Sequence, residues 1–246
     1  KNLGPPERPK SKKRKSKNFK NTCQKIINMY LSESSIKKMP HVKRLNIINS
    51  VSGIKPGNLI GTKDKNDQTN LAIISSVVHL GSNPPYLGFI LRPDQNVRRH
   101  THENISENKQ FTINHIPSDF IEQAHYTSAK FEKNVSEFQK CGFTEEYHKD
   151  FTAPFVKESK LKMGLIHEES VPIKSSNTLM LIGRILHLII PDTSLSIEGY
   201  IDLGVADSVG ISGLNAYYAL KKVGEFPYAR AEKTPKFNDK KTKFTS

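Results

Sequence analysis

Two cysteines in 246 residues, Cys23 and Cys141, are too few for a disulfide framework or a thiolate metal cluster, and they point to a reducing compartment. No apolar run approaches the roughly 18 residues of a membrane-spanning helix, and no signal-peptide core follows the basic start. The expectation is a cytoplasmic protein without a membrane segment. The patterns G-x-G-x-x-G, the Walker P-loop, G-x-S-x-G and H-E-x-x-H are all missing, which argues against a dinucleotide Rossmann site and a zinc protease. No internal repeat is visible, and length allows one large domain with tails.

What is present in excess is positive charge, +14 formally, which suggests nucleic acid until it is located along the chain. Residues 1–25 hold ten Lys/Arg against one Glu and residues 230–246 hold six against two acids, so the ends carry +9 and +4 and leave +1 for the body. The head, residues 1–28, is too poor in large apolar side chains to repay ordering and is expected to be disordered, its "KSKKRKSK" reading either as a solvated tail or as a localisation or RNA-binding arm. The first residue is Lys1; the expectation is that the native chain starts elsewhere, with Met29 as the candidate start. The tail, residues 231–246, is expected to be basic and flexible. A nucleic-acid-binding protein acting through these ends is the competing class. The near-neutral body offers no aromatic and basic surface motif for it, so nucleic acid is not the expected partner.

Apolar residues at Val42, Leu45, Ile48 and Val51 predict a helix after Pro40, ended by Gly53, Pro56 and Gly57. "NLIGTKD" reads as a strand, "KDKNDQ" as a turn and "TNLAIISSVVHL" as one longer strand, followed by "YLGFILR" and "QFTINHI". Thr101 and Ser118 are expected to cap short helices. "FVKESKLKMGLI" and "TLMLIGRILHLII" read as strands, and "SGLNAYYALKKV" as a closing helix. Without strict βαβ alternation, the expected fold is mainly β, a mostly antiparallel barrel with peripheral helices.

Chemistry concentrates in two places. Arg92, Arg98, Arg99 and Thr101 lie beside Asn104 and a helix start, a set of forked donors, hydroxyl and backbone N–H groups suited to phosphate, or else a solvated basic loop. Ser75 and Ser76 interrupt an apolar strand; buried hydroxyls need partners, supplied by a polar ligand or by neighbouring backbone. "HTH" at His100–His102 places two imidazoles on one side of an extended segment, too few for a metal site without further ligands. His79, His115, His125 and His187 fall on separate elements, and no metal is expected.

These segments resemble the flavin reductase-like family, which binds FMN in a split β-barrel. "TNLAIISS" is similar to the family's strand motif, "NPPYLGFI" to the proline-led strand after it, "RRHTHENI" to its basic loop and "FTIN" to the strand ending in Asn. "SAKF", "VSEF", "FVKES" and "GISGLNAYY" resemble a subgroup of small bacterial members. The resemblance runs from about residue 43 to 230, and it implies a split-barrel domain over residues 29–230.

It also implies roles. Asn70, Leu71, Ala72 and Ile74 would line the flavin ring, while Ser75, Ser76, Arg92, Arg99 and Thr101 would hold the ribityl phosphate. Asn104 and Asn114 would brace the basic loop; Ser128, Lys130, Ser212 and Gly213 would add contacts. The chain departs from the family where many members carry an arginine near the C-terminus: "GISGLNAYY" has none, which puts nicotinamide recognition in doubt. The implied cofactor is FMN, or FAD, with NAD(P)H as reductant, and the implied assembly is a homodimer. Flavin would carry the redox chemistry, so no catalytic acid or base is required; His79 or His115 would modulate flavin protonation. A flavin-binding electron carrier is the alternative within the same fold.

Overall fold

The structure is a computed structural model in which residues 28–92 and 99–235 are described. The basic head through residue 27, Arg98 and the last eleven residues lie outside them. Contacts divide the chain at Pro40/His41 into two units. In the first, helix α1 (Glu33–Lys38) is capped by Ser32, whose hydroxyl accepts the Ser35 N–H at 3.2 Å.

The second unit opens with α2 (His41–Ser50), the helix expected after Pro40; its Val42 and Ile48, with Val51 just beyond, are exposed. Strands β1 (Lys55–Pro56), β2 (Asn58–Lys63), β3 (Thr69–Ile74), β4 (Val78–Ser82) and β5 (Pro85–Leu91) follow. Next come α3 (His100–Asn108), β6 (Gln110–His115), α4 (Ile121–Tyr126) and α5 (Glu137–Cys141). Short strands β7 (Glu145–Glu146) and β8 (Phe155–Val156) precede the long hairpin of β9 (Lys162–Ile173) and β10 (Thr178–Ile189). A second hairpin, β11 (Val209–Ser212) and β12 (Ala216–Ala219), closes the list. The architecture is mainly β and antiparallel, as the sequence predicts. Among the described residues no helix is long and apolar enough to cross a membrane.

Seven strands form the main sheet in the order β3-β2-β6-β9-β10-β5-β4. Its two edge strands, β3 and β4, are consecutive in the chain and joined only by Ser75, Ser76 and Val77. Laid flat, seven strands would hold their edges about 29 Å apart at the usual inter-strand spacing. The step from Ile74 to Val78 can reach only about 14 Å when fully extended. The sheet must therefore curl until its edges approach. Register shifts between Ile182 and Gly183 and between Ile185 and His187 supply local bends in the β9–β10 pair.

The "TNLAIISSVVHL" run is thus two strands at opposite edges rather than one, because Ser75 to Val77 must cross the split. Ser76 holds the crossing. Its hydroxyl accepts from Ile90 N–H at 3.0 Å and donates to Ile90 C=O at 3.2 Å, continuing the β4–β5 ladder by side chain.

Inside the curl pack Ile60, Phe89, Phe111, Ile113, Leu165 and Leu181, with Ile105 of α3 against them. Gly183 makes room for this packing: a Cβ there would lie 2.5 Å from the Phe111 ring. Outside β2 and β3, a second core joins Leu59, Leu71, Ile116, Ala124 and Phe138 to Val209 and Ile211 of β11. The free edge of β3 is covered from this side. Glu137 accepts the Leu71 N–H at 3.0 Å and Thr127 accepts the Ile73 N–H at 3.0 Å, so the edge cannot pair with another chain there.

Three local expectations need correction. "SGLNAYYALKKV" is a hairpin strand, not a helix: Gly213 turns the chain at φ 63°, Tyr217 pairs with Ile211, and Tyr217 and Tyr218 alternate between half-buried and exposed. A short run with apolar residues at several spacings fits both periods, and pairing to β11 decides it. Thr101 lies inside α3, whose cap is Arg99 without a side-chain bond. Ser118 likewise lies within a 3-10 turn, Ser118–Phe120, that follows Pro117 and leads into α4.

Candidate functional site

β3 sorts its residues by alternation. Thr62 stands opposite Asn70, Ile60 opposite Ala72 and Asn58 opposite Ile74, so Asn70, Ala72 and Ile74 share the face turned toward the barrel interior. Leu71 points the other way, fully buried in the outer core. Its side chain is therefore placed away from the other ring-lining candidates, and its N–H is spent on Glu137.

On the inner face, α3 docks through paired amides and hydroxyls. Asn70 donates from Nδ2 to Thr101 Oγ1 at 3.0 Å, and Asn104 donates from Nδ2 to Thr62 Oγ1 at 3.1 Å. All four side chains are buried. Because Thr101 accepts from Asn70, its own hydroxyl proton remains available to donate. Thr62 is the member of this quartet that sequence reading misses, and its place directly across from Asn70 is the signal that could have found it.

Two buried atoms at this end have no partner among the described residues: Nε of Arg99, at the α3 cap, and Oδ1 of Asn104. A buried unpaired donor costs roughly 1–3 kcal/mol, so Arg99 is a group awaiting an acceptor. The helix start adds the positive end of its dipole. Arg92, exposed just after β5, lies two residues past the Ile90 that Ser76 clasps, and Ser75, half-buried, has no hydrogen bond to a described residue. Beside the α3 start, Lys133 stands 3.8 Å from Asp64 and 3.6 Å from Glu103, fastening the segment after α4 to the β2–β3 turn and to α3.

The remaining candidates are more dispersed. Asn114, expected to brace the basic loop, is turned to β8 instead: on the outer face of β6 it donates to Leu59 C=O at 3.1 Å and accepts from Val156 N–H at 3.0 Å. Ser128 is exposed at the end of α4 with its hydroxyl on His125 C=O at 2.7 Å, and Lys130 is exposed nearby. Ser212 and Gly213 end β11 in the three-stranded sheet, where Gly213 approaches Ser50.

The histidines divide similarly. His79 is exposed on edge strand β4, its Nε2 3.2 Å from Ser82 Oγ. His115 places Nδ1 2.9 Å from Ser208 Oγ, and burial lowers its pKa from 6.5 to about 4, so it stays neutral at neutral pH. His100 and His102 lie on the first turn of α3 rather than on an extended segment, and no group of three or more metal-binding side chains occurs among the described residues.

This arrangement, a curled antiparallel sheet with a polar cluster where α3 meets β3, coincides with what comparison with known proteins finds. The model of the flavin reductase-like domain matches residues 54–201, and the chain belongs to that family. A putative flavin reductase with a split barrel domain from Shewanella frigidimarina NCIMB 400 is 45% identical, covering 82% of this chain and 100% of that one, with a TM-score of 0.79. Flavoredoxin of Desulfovibrio vulgaris (Miyazaki F) is 26% identical over 73% of this chain and 91% of its own, at a TM-score of 0.59. Nitrilotriacetate monooxygenase component B from Bacillus cereus shares the fold at 19% identity, with 81% and 100% coverage and a TM-score of 0.72. The fold is the split barrel of that family.

Proposed function

We propose that the chain is an FMN-binding oxidoreductase that moves hydride or electrons between NAD(P)H, flavin and an acceptor, working as a homodimer. The observation that carries the reading is the buried, unpartnered Arg99 Nε at the start of α3, beside a Thr101 hydroxyl with a proton to donate. These are donors arranged for a phosphate. Arg99, Thr101, Arg92 and Ser75 would hold the phosphate of FMN, and Asn70, Ala72 and Ile74 would lie along its ring. Ser76 serves by fixing the strand crossing that sets the others in place. Asn104 keeps α3 seated against β2. Ser128 and Lys130 would supply contacts from the segment after α4.

When bound, the flavin supplies the redox chemistry, and the chain's part is to orient it and exclude water. Neither His79, exposed and turned to Ser82, nor His115, neutral and held by Ser208, is needed as an acid or base. The missing arginine in "GISGLNAYY" favours one second reading, a flavin-binding electron carrier that does not take nicotinamide. Steady-state oxidation of NADH and NADPH with added FMN or FAD separates the two. Turnover is expected; none, with FMN bound, leaves the carrier.

A further inference from the structure

After β10 the chain leaves a run of large apolar side chains in solvent. Leu195, Ile197, Tyr200, Leu203 and Val205 are exposed on one loop. Past β12, Val223, Phe226 and Tyr228 are 95, 88 and 88% exposed on a segment without helix or strand. Between loop and segment lies a groove of about 470 Å³, walled by Leu195, Tyr200, Ile201 and Val205 and carrying Asp202 and Lys222. Open apolar patches of this kind mark sites of association.

The loop is built to keep its shape. Ser196 N–H donates to Tyr200 C=O at 2.8 Å and Tyr200 N–H to Ser196 Oγ at 3.1 Å. Asp202 Oδ1 accepts from Gly204 N–H at 3.0 Å and Val205 N–H at 3.2 Å. Gly204 lies so close to the departing arm that a Cβ there would stand 2.8 Å from Leu220 O. The groove is therefore preformed, and the arm leaves along its rim through Lys222, Gly224 and Glu225. Phe226 and Tyr228 follow past that rim, exposed and not covered by any described residue.

We propose that the groove receives the arm of a second copy of this chain, residues 223–228, with Phe226 as the anchor, and that the two copies exchange arms reciprocally. One chain carries both halves of the contact, a groove with an apolar wall of Leu195, Tyr200, Ile201 and Val205 and an arm with exposed apolar side chains, which is the requirement for a self-complementary two-fold interface. Pro227 restricts the arm to extended backbone and lowers the entropy lost on docking. The exchange assigns a surface to the proposed homodimer and does not depend on flavin.

Sedimentation of the full chain over a wide concentration series, without flavin, tests it. Wild type is expected to dimerise, and F226S with Y228S, a change at exposed positions, is expected to raise the dissociation constant roughly a hundred-fold or more. V205E in the groove wall is expected to weaken the dimer too. Mixing V205E chains, which keep an intact arm, with F226S/Y228S chains, which keep an intact groove, restores one arm-in-groove contact, so the mixed dimer should form in preference to either parent. A monomeric wild type, an unweakened double variant or no preference for the mixed dimer would each overturn the exchange. If the wild type dimerises but the double variant is unweakened, the dimer stands and only the arm contact fails; flavin binding is untouched by any of these results.

Discussion

Arg99 and His115 show how burial gives single residues opposite meanings. At Arg99 a charged donor is buried at Nε without a partner among the described residues, and an anion placed there would relieve that cost. R99Q is expected to weaken FMN at least about ten-fold while changing riboflavin, which lacks the phosphate, much less, because charged hydrogen bonds are worth roughly 1.5–3 kcal/mol. Quenching of flavin fluorescence on titration measures both. Equal weakening of the two ligands would place Arg99 away from the phosphate. His115 instead avoids charge. Its folded pKa of about 4 lies below the ordinary 6.5, so between those values the unfolded chain binds a proton that the folded chain refuses. Its contribution is fully present above about pH 6.5 and is lost as pH falls toward 4, about 3 kcal/mol in all. Urea unfolding at a series of pH values should show this slope, and H115N should flatten it.

Among the elements, β3 carries the candidate site on one face and packs into the outer core with the other. Its edge amides end on side chains from outside the sheet, so T127V, which removes the acceptor for Ile73 N–H, should cost roughly 1–3 kcal/mol in urea unfolding without a change in overall secondary structure by circular dichroism. The strands β2, β3, β5, β6 and β10 were legible from β-branched, turn-bounded runs, and so was the polar character of the α3 start. The break at Ser75 to Val77 was not, because the demand that edges β3 and β4 meet arises from the order of seven strands, which local pattern does not contain. The same holds for Thr62 and Lys133: cross-strand pairing and the return of the segment after α4 bring them to the site. Asn114 read as a loop brace because it ends its strand motif, yet the face of β6 it occupies directs it to β8. The C-terminal hairpin was misread because Tyr217 and Tyr218 fit a helical spacing as readily as an alternating one.

For the whole molecule, the charge distribution and the fold give the same account. The body is near neutral and builds a split barrel closed by a serine clasp, with its donors gathered where α3 meets β3; the basic ends stand outside the family match. The central claim is that this body binds FMN. The visible absorption spectrum of the purified protein, taken before and after addition of FMN and removal of the excess, with mass identification of whatever heat releases, tests it most directly. The account predicts flavin absorption bands that stay with the protein and FMN as the released molecule. A colourless protein that retains no added FMN would contradict it.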